Sequence, residues 1–368
     1  MKRLLVATHL AWAGLLFIAG IASAGPLRDW QQSLVGARKE GKVVVSVPPN
    51  AELRKRMEGV FERRFPGIDL ELVPGRGSKN VRRIADELKA GVRYFDVHIG
   101  GSLSMLTGLV RVGVVDPIEP YFLLPEVKDS KNWWGGHMFA DRAKRFAYIF
   151  SAYLTQNIYR NTNLVGPEEI LSYDDLLDPK WKGKIGLLDP RTPGPGDATW
   201  TYMWEVKGED YLRKLVRQDL HITRNWRILG ESLAKGKLSI TIGTSYYILA
   251  PFLKAGLPLQ PLPIPKEGTY ATGGTGNLVI LKDAPHSNAT RVFINWFFGK
   301  EGQEVNTRAM AQASRRLDVD SAWVRKFGYV PAKEVLSVED YYRVENQSEE
   351  KIQKVRIPAK NFARKLLK

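Results

Sequence analysis

The chain has 368 residues, of which 44% are hydrophobic and 26% are charged, and its formal net charge is +16. This length is sufficient for two domains, and the composition is that of an ordinary globular protein. The absence of cysteine excludes disulfide bonds, thiolate metal sites and a cysteine nucleophile.

The first residues have the anatomy of a secretory signal peptide. A basic start, Met1-Lys2-Arg3, precedes an apolar run over residues 4–21, which ends in Ala22-Ser23-Ala24. We expect residues 1–24 to be a signal peptide that is cleaved after Ala24 and directs the protein to the periplasm. The alternative is a membrane anchor, but histidine and glycine within the apolar run and the small residues at its end favour cleavage.

The segment after the leader alternates strand and helix patterns. β-branched and apolar runs predict strands at residues 42–47, 68–73 and 95–99, and apolar residues at helical spacing predict helices between them. We expect Ser78 to cap the helix that follows the second strand. Strands that alternate with helices at this spacing predict a parallel sheet covered by helices.

A second α/β unit follows a long aromatic and β-branched run at residues 146–159. Further strands are predicted at residues 185–188, 238–242 and 278–281, with helices between them. The sequence between the two units has no Gly/Ser-rich linker, so ordered strands are expected to connect them.

The predicted fold class is α/β, with two lobes joined by crossover strands around a central ligand cleft. We assign residues 25–147 and 275–368 to the first lobe and residues 148–274 to the second. The lobes are expected to hinge near residues 148–151 and 274–277.

The sequence contains no complete catalytic motif. The four histidines beyond the leader do not lie at a metal-ligand spacing. Residues 243–247, Gly-Thr-Ser-Tyr-Tyr, begin like a nucleophile elbow but lack its final glycine. Residues 273–276 do not complete a dinucleotide-binding fingerprint. We therefore expect a protein that is not an enzyme and that needs no cofactor.

Four turns that carry glycine or serine follow predicted strands, at residues 75–78, 100–102, 194–196 and 243–245. In open α/β sheets, ligands bind beyond the carboxyl ends of the strands, where helix N-termini present free N–H groups. The four turns therefore predict a ligand site that is shared between the lobes.

The basic charge of the chain favours a small anionic ligand. Arg76 and Arg191 lie in or beside the predicted turns, where a guanidinium group can bind a carboxylate or a phosphate. The basic residues are otherwise spread along the chain, and the leader indicates export, so nucleic acid is not the expected partner. A positive field that attracts anions is one reading of the charge, and a solvated basic surface without a role is the other.

Three segments resemble the type 2 periplasmic solute-binding proteins of ABC importers, and within that class the ferric-ion-binding-protein branch. They are LLDPKWKGKIGLLDPRTPGPG (residues 176–196), TIGTSYYILAPFLKAGLPL (residues 241–259) and NLVILKDAPHSNATRVFINWFFGKEGQE (residues 277–304). The resemblance implies a receptor that captures a solute in its cleft and delivers it to an ABC permease in the inner membrane. We expect the protein to be a monomer.

Iron-binding members of this branch hold Fe(III) partly through a tyrosine pair, and Tyr246 and Tyr247 match that pair. Those members add a histidine after the first strand and an acidic residue after the third. Here the loop after the first strand contains Asn50, and the loop after the third strand contains Gly100-Gly101. His98 lies two residues before the position of the expected acidic ligand. The incomplete set favours a small anionic solute that contains a carboxylate, a phosphate or a similar group. Ferric iron or a ferric chelate is the alternative.

The expected ligand-binding residues come from the turns of both lobes. They are Asn50, Arg76, Gly77, Ser78, Gly101, Ser102, Arg191, Thr192, Gly194, Gly196, Ser245, Tyr246 and Tyr247. Tyr246 and Tyr247 are metal ligands only under the iron alternative.

Ser314-Arg315-Arg316 is expected to close the rim of the cleft. Two rival functions stay open. One is an exported enzyme, for which Asp197 is the nearest acid, and the other is a protein that presents its ligand to a sensor kinase.

Overall fold

The computed structural model describes residues 24–367, so the predicted signal peptide lies, apart from Ala24, outside the described residues. The strands are β1 (Lys42–Val47), β2 (Asp69–Pro74), β3 (Val97–Gly100), β4 (Val115–Asp116), β5 (Tyr148–Ile149), β6 (Tyr153–Thr155), β7 (Ile158–Asn161), β8 (Ile185–Leu188), β9 (His221–Thr223), β10 (Ile240–Ile242), β11 (Leu259–Pro261), β12 (Tyr270–Thr272), β13 (Asn277–Leu281) and β14 (Val330–Pro331).

The helices are α1 (Ala24–Glu40), α2 (Ala51–Arg64), α3 (Gly77–Lys89), α4 (Ser102–Met105), α5 (Pro125–Lys128), α6 (Pro195–Val216), α7 (Trp226–Ala234), α8 (Tyr246–Lys254), α9 (Ser287–Phe298), α10 (Lys300–Met310), α11 (Ala332–Val335), α12 (Val338–Val344), α13 (Glu349–Lys351) and α14 (Ile357–Leu366). None of these helices within residues 24–367 combines the length and the apolar character needed to cross a bilayer.

The first large sheet has the strand order β2-β1-β3-β13-β4, and β5 also pairs with β13. Strands β1, β2 and β3 are parallel, whereas β13 runs antiparallel to β3. Successive side chains of β1 point to opposite faces of the sheet. Val43 and Val45 accordingly lie in one buried cluster and Val44 in another, so helices cover both faces.

The second large sheet has the order β11-β7-β10-β8-β9. Strand β8 is parallel to β9 and β10, and β7 is antiparallel to β10. The core of this lobe includes Leu187 and Ile240 from the sheet and Trp200 from α6. The α/β architecture with two lobes that the sequence predicts is confirmed.

A small sheet of order β12-β6-β14 connects the two large ones. The chain leaves the first sheet after β5, passes through β6 and enters the second sheet at β7. It returns from β11 through β12 to β13. The run at residues 146–159 is therefore three short strands, and Asn157, with a φ of 51°, turns the chain between the last two of them.

The last residues of the chain pack in both lobes. Residues 338–367, which we call the C-terminal strap, place Tyr341 and Ile352 in a core of the first lobe and Ala359 and Phe362 in the core of the second. The lobe assignment made from the sequence puts the whole of residues 275–368 in the first lobe, and α14 departs from it. The reason is an apolar face on α14 that packs on α6 of the second lobe.

Helix α3 begins two residues earlier than the sequence predicts. Its N-cap is Arg76 and its first residue is Gly77, so Ser78 lies inside the first turn and does not cap the helix. The prediction of Ser78 as the N-cap is wrong, because an extended backbone at Arg76 already starts the helix.

Candidate functional site

A cavity with a volume of about 170 Å³ lies between the lobes. It is lined by residues that follow β1, β2 and β3 of the first sheet and by residues that follow β8, β9 and β10 of the second. Residues of the small connecting sheet, such as Tyr153 and Tyr270, complete the wall. The cavity therefore lies beyond the carboxyl ends of the parallel strands, where α/β sheets bind ligands.

Four helices of nine or more residues begin at the cavity, namely α3, α6, α7 and α8. The N-caps of α3 and α6, Arg76 and Gly194, make no side-chain hydrogen bond to the first turn. The first-turn N–H groups of a helix carry a partial positive charge and lack partners within the helix. The N-termini of α3 and α6 are therefore suited to an anion.

The charged side chains that line the cavity are cationic. Among the described residues, Arg76 and Arg356 line it, and no aspartate or glutamate does. Arg76 is exposed, whereas Arg356 is only 6% exposed. Asp197, next to the lining residue Ala198, is buried and paired with Arg356. The electrostatic field of the lining therefore favours a negative ligand.

Three phenols line the cavity, those of Tyr153, Tyr247 and Tyr270. Burial raises the pKa of Tyr247 and of Tyr270 to about 12, and it raises the pKa of Tyr153 well above its ordinary value. All three are therefore neutral hydroxyls near pH 7. The Nδ2 atom of Asn157 donates to the Tyr270 hydroxyl at 2.7 Å. These groups offer hydrogen bonds and ring faces to a solute.

The structure brings nine of the predicted site residues together at the cavity. They are Arg76, Gly77, Ser78, Gly101, Ser102, Thr192, Gly194, Ser245 and Tyr247. That these residues contact a ligand stays a prediction.

Asn50 and Gly196 lie outside the cavity and have structural roles. Asn50 caps α2, because its Oδ1 accepts a hydrogen bond from the backbone N–H of Leu53 at 3.0 Å and its Nδ2 donates to the carbonyl of Ala309 at 3.2 Å. A Cβ on Gly196 would lie 2.1 Å from the carbonyl oxygen of Leu188. The glycine therefore permits close packing of backbone on backbone, not the approach of a ligand.

Arg191 and Tyr246 also point to neighbours outside the cavity. Arg191 pairs with Asp189 at 2.8 Å and donates to the carbonyl of Leu367. The ring of Tyr246 packs on Phe327, with 3.8 Å between the ring centroids. Of the tyrosine pair, only Tyr247 lines the cavity.

The segment Ser314-Arg315-Arg316 does not form a rim. Arg315 is fully buried and donates to the carbonyl of Trp134 at 2.6 Å, and Arg316 is 2% exposed and pairs with Asp318 at 2.8 Å. The prediction of a rim is wrong, because both guanidinium groups are buried and donate to acceptors inside the protein, Arg315 to backbone carbonyls and Arg316 to Asp318 and the carbonyl of Phe298.

Sequence reasoning missed several lining residues. They are Tyr153, Asn157, Trp226, Tyr270, Gln312 and Arg356. Tyr153 and Asn157 lie on the run at residues 146–159, which predicts the crossover, so their position on it is the available signal. The sequence gives no comparable signal for Gln312 and Arg356, which reach the site through long-range packing.

Arg76 connects the lobes across the mouth of the cavity. Its Nη2 atom donates to the backbone carbonyl of Arg224 at 2.7 Å, and its guanidinium lies 4.6 Å from the ring centroid of Trp226. The Trp226 ring in turn meets Tyr247 edge-to-face, with 5.7 Å between centroids. This cluster stabilises an arrangement in which the two lobes touch.

Arg76→Ala is expected to open the cleft. A cation–π contact and a charge-assisted hydrogen bond at an exposed position contribute about 1–2 kcal/mol together, so their loss lowers the closed-to-open equilibrium constant roughly 5- to 30-fold. Small-angle X-ray scattering of protein freed of ligand by unfolding and refolding should show a larger radius of gyration than wild type. Arg82→Ala, an exposed position on the same helix, is the control. An unchanged radius for Arg76→Ala would contradict the expectation.

Two lobes around a cleft that is bordered by helix N-termini define the fold of type 2 periplasmic binding proteins. The description of the matching family model is "bacterial extracellular solute-binding protein", and it covers residues 46–304. The chain belongs to this family.

A relative from Haemophilus influenzae, described as an uncharacterized protein, is 28% identical over 302 residues, which are 79% of each chain. Among solved structures, the periplasmic binding protein AfuA of Actinobacillus pleuropneumoniae with fructose-6-phosphate bound is similar at a TM-score of 0.63 and 19% identity, over 87% of this chain and 97% of that one. Iron-bound HitA of Pseudomonas aeruginosa is similar at a TM-score of 0.63 and 16% identity, over 88% and 99%. At these identities the similarity to the solved structures shows the fold.

Proposed function

We propose that this protein is the solute receptor of an ABC importer and that its solute is a small organic anion. The observation that carries the proposal is the charge of the cavity. Among the described residues, its lining contains two arginines and no carboxylate, and it is bordered by the uncapped N-termini of α3 and α6. Helix N-termini and arginines are the groups that proteins use to bind phosphate and carboxylate.

The size of the cavity supports an organic solute over a bare ion. A volume of about 170 Å³ is on the order of ten times the roughly 10–15 Å³ that one water needs by this measure. A lone metal ion would leave most of this space to water. A small organic solute would fill more of it and could contact the phenols and Trp226.

The family supports the transport role. Its members are solute-binding proteins, and the importer class predicts delivery to an inner-membrane permease. AfuA, which has this fold, was solved with a sugar phosphate bound. A phosphorylated or carboxylated solute in this chain agrees with that precedent and with the two arginines.

A ferric complex is the second candidate, because three phenols line the cavity and HitA, with the same fold, was solved with iron. Two features weigh against it. Tyr246, one half of the predicted phenolate pair, packs on Phe327, and burial raises the pKa of each lining phenol, which opposes its ionisation. If the ligand contains iron, the cationic lining favours a complex of iron with an anionic chelator over the unchelated ion.

The proposal is tested with refolded, ligand-free protein in a thermal-shift and calorimetric screen. The probes are fructose 6-phosphate with fructose as its neutral match, glycerol 3-phosphate with glycerol, citrate, inorganic phosphate and ferric citrate. Stabilisation by an iron-free anion, without stabilisation by its neutral match, would support the proposal. Stabilisation by ferric citrate but by none of the iron-free anions, with a visible tyrosinate charge-transfer band, would overturn it.

Single Tyr→Phe substitutions distinguish the organic anion from the ferric complex as the ligand. Tyr247→Phe should weaken binding of the anionic probe by roughly 2- to 12-fold, the range for one net hydrogen bond. Tyr246→Phe should leave the affinity unchanged, since Tyr246 lies outside the cavity. Calorimetry with both variants provides the measurement. Equal losses in the two variants would indicate that both phenols bind the ligand, as the iron candidate requires.

A further inference from the structure

The C-terminal strap supplies a buried cation to the cavity. Arg356 lies between the part of the strap that packs in the first lobe and the part that packs in the second. It lines the cavity although it is only 6% exposed. The other lining cation, Arg76, is exposed at the mouth. The cavity thus has a cation at its buried end and another at its open end.

Arg356 is held by contacts on two sides. Its Nη2 atom is ion-paired with Asp197, which is 1% exposed, and its Nη1 atom donates to the backbone carbonyl of Asn346 at 3.1 Å. The backbone N–H of Asn346 donates to the carbonyl of Ala271 at 3.1 Å. Arg356 therefore lies beside strand β12, whose Tyr270 also lines the cavity.

The buried pair leaves hydrogen-bonding capacity unused. The Nε atom of Arg356 and the Oδ1 atom of Asp197 have no partner among residues 24–367. Buried polar atoms in proteins are nearly always hydrogen-bonded, and a buried ion pair that is incompletely satisfied contributes little to stability. Those two atoms are closed off from the cavity, but the terminal nitrogens Nη1 and Nη2 each carry two N–H groups and use one of them, in the bonds to Asn346 and Asp197. The guanidinium group, which lines the cavity, can therefore donate further hydrogen bonds to an anion.

We propose that Arg356 binds the anionic group of the solute at the buried end of the cavity and that Asp197 holds the guanidinium in position. The chemical class is a phosphate monoester or a carboxylate. This inference rests on the proposed function, because it requires an anionic solute. It adds a binding residue from beyond residues 46–304, the segment that the family model matches. It also places the solute in contact with a strap that packs in both lobes.

The test uses calorimetric titration of the full mature protein with inorganic phosphate, glycerol 3-phosphate and citrate. Arg356→Gln should weaken the anion that wild type binds most tightly by at least tenfold. The double variant Asp197→Asn with Arg356→Gln removes both buried charges, so it keeps the core neutral, and it should show the same loss. Asp197→Asn alone retains the cation, and its amide oxygen can still accept a hydrogen bond from Arg356, so it should lose clearly less affinity than Arg356→Gln. Arg364→Gln, an exposed position on the same helix, is the matched control and should bind like wild type.

Each outcome has a distinct meaning. Wild-type affinity in both variants that lack Arg356 would overturn this inference and leave the proposed function intact. A loss in Asp197→Asn as large as that in Arg356→Gln would show that the pair is structural only, and would also overturn it. Failure of wild type to bind any iron-free anion of the screen described above, fructose 6-phosphate included, would overturn the proposed function and this inference with it. Preference for the two phosphates or for citrate identifies the anionic group.

Discussion

Replacing Gly243 by alanine is expected to lower the free energy of unfolding by about 2–5 kcal/mol, the combined cost of a left-handed backbone and of overpacking. Gly243 has a φ of +84°, and a Cβ at this position would lie 2.5 Å from the Cα of Gly196 and 2.8 Å from its nitrogen. These neighbours are backbone atoms, which cannot rotate away as a side chain can. The cost therefore exceeds that of the backbone conformation alone.

Gly256→Ala is the matched control for this variant. Gly256 lies in the same lobe with a φ of +73°, and a Cβ there would have no atom within 4 Å. It should cost only the roughly 1–2 kcal/mol of the left-handed backbone. Urea unfolding of both variants, followed by tryptophan fluorescence, measures the difference. Equal destabilisation would show that the contact between Gly243 and Gly196 tolerates a methyl group.

The contact between these glycines also positions the site. Gly243 directly follows strand β10, in the turn that leads to α8, and Gly196 lies in the first turn of α6. Their close approach brings the N-termini of α6 and α8 together at the cavity wall. Glycine in these turns thus serves the ligand site indirectly, through the packing of the helices that border it.

The positions of the site loops could be predicted from the sequence because they depend on local patterns. Short β-branched runs defined the parallel strands, and the turns after them carry glycine, serine or arginine. In a parallel sheet the carboxyl ends of the strands lie at one edge. Nine residues from these turns consequently meet at the cavity.

The remaining features depend on contacts that no local pattern records. Successive residues of a helix project roughly 100° apart, so the first two residues of α8, Tyr246 and Tyr247, face different neighbours. Arg356 reaches Asp197 from 159 positions away in sequence. Arg315 resembles a surface residue in the sequence, yet carbonyls from residues more than 160 positions away accept hydrogen bonds from its Nη1 and Nη2 atoms. Pattern analysis finds the elements and their turns, but these partners follow from the tertiary fold.

The charged and polar groups of the cavity lining bear on each candidate function. Within residues 24–367, the lining contains hydroxyl groups, among them those of Ser78 and Ser245, but no carboxylate and no histidine that could act as their general base. A site for unchelated Fe(III) would need anionic oxygens, whereas the lining phenols have raised pKa values. The two arginines and the free helix N-termini match an anion that brings its own charge. Under the proposed function, the solute supplies the negative charge that the cavity lining lacks.

His98, the histidine nearest the predicted iron position, lies beneath the cavity wall and does not line it. It is fully buried on β3, and its Nδ1 atom is 2.9 Å from the Oγ of Ser46, which also accepts a hydrogen bond from Asn80. A Cβ on Gly100, which lines the cavity, would lie 2.7 Å from His98 Nε2. The imidazole thus packs directly behind the backbone of the third-strand loop.

Protonation of His98 is expected to destabilise the protein as the pH falls from about 6.5 to about 4. Burial lowers its pKa from 6.5 to about 4, so the folded state keeps the ring neutral while the unfolded state accepts a proton. The stability from the neutral ring is fully present above pH 6.5, and about 3 kcal/mol of it is lost on the way to pH 4. His98→Gln should reduce this acid loss, as measured by urea unfolding at a series of pH values, whereas His221→Gln, at an exposed histidine, should retain it. If His98→Gln and wild type lost stability in parallel over this range, another group would have to account for the acid sensitivity.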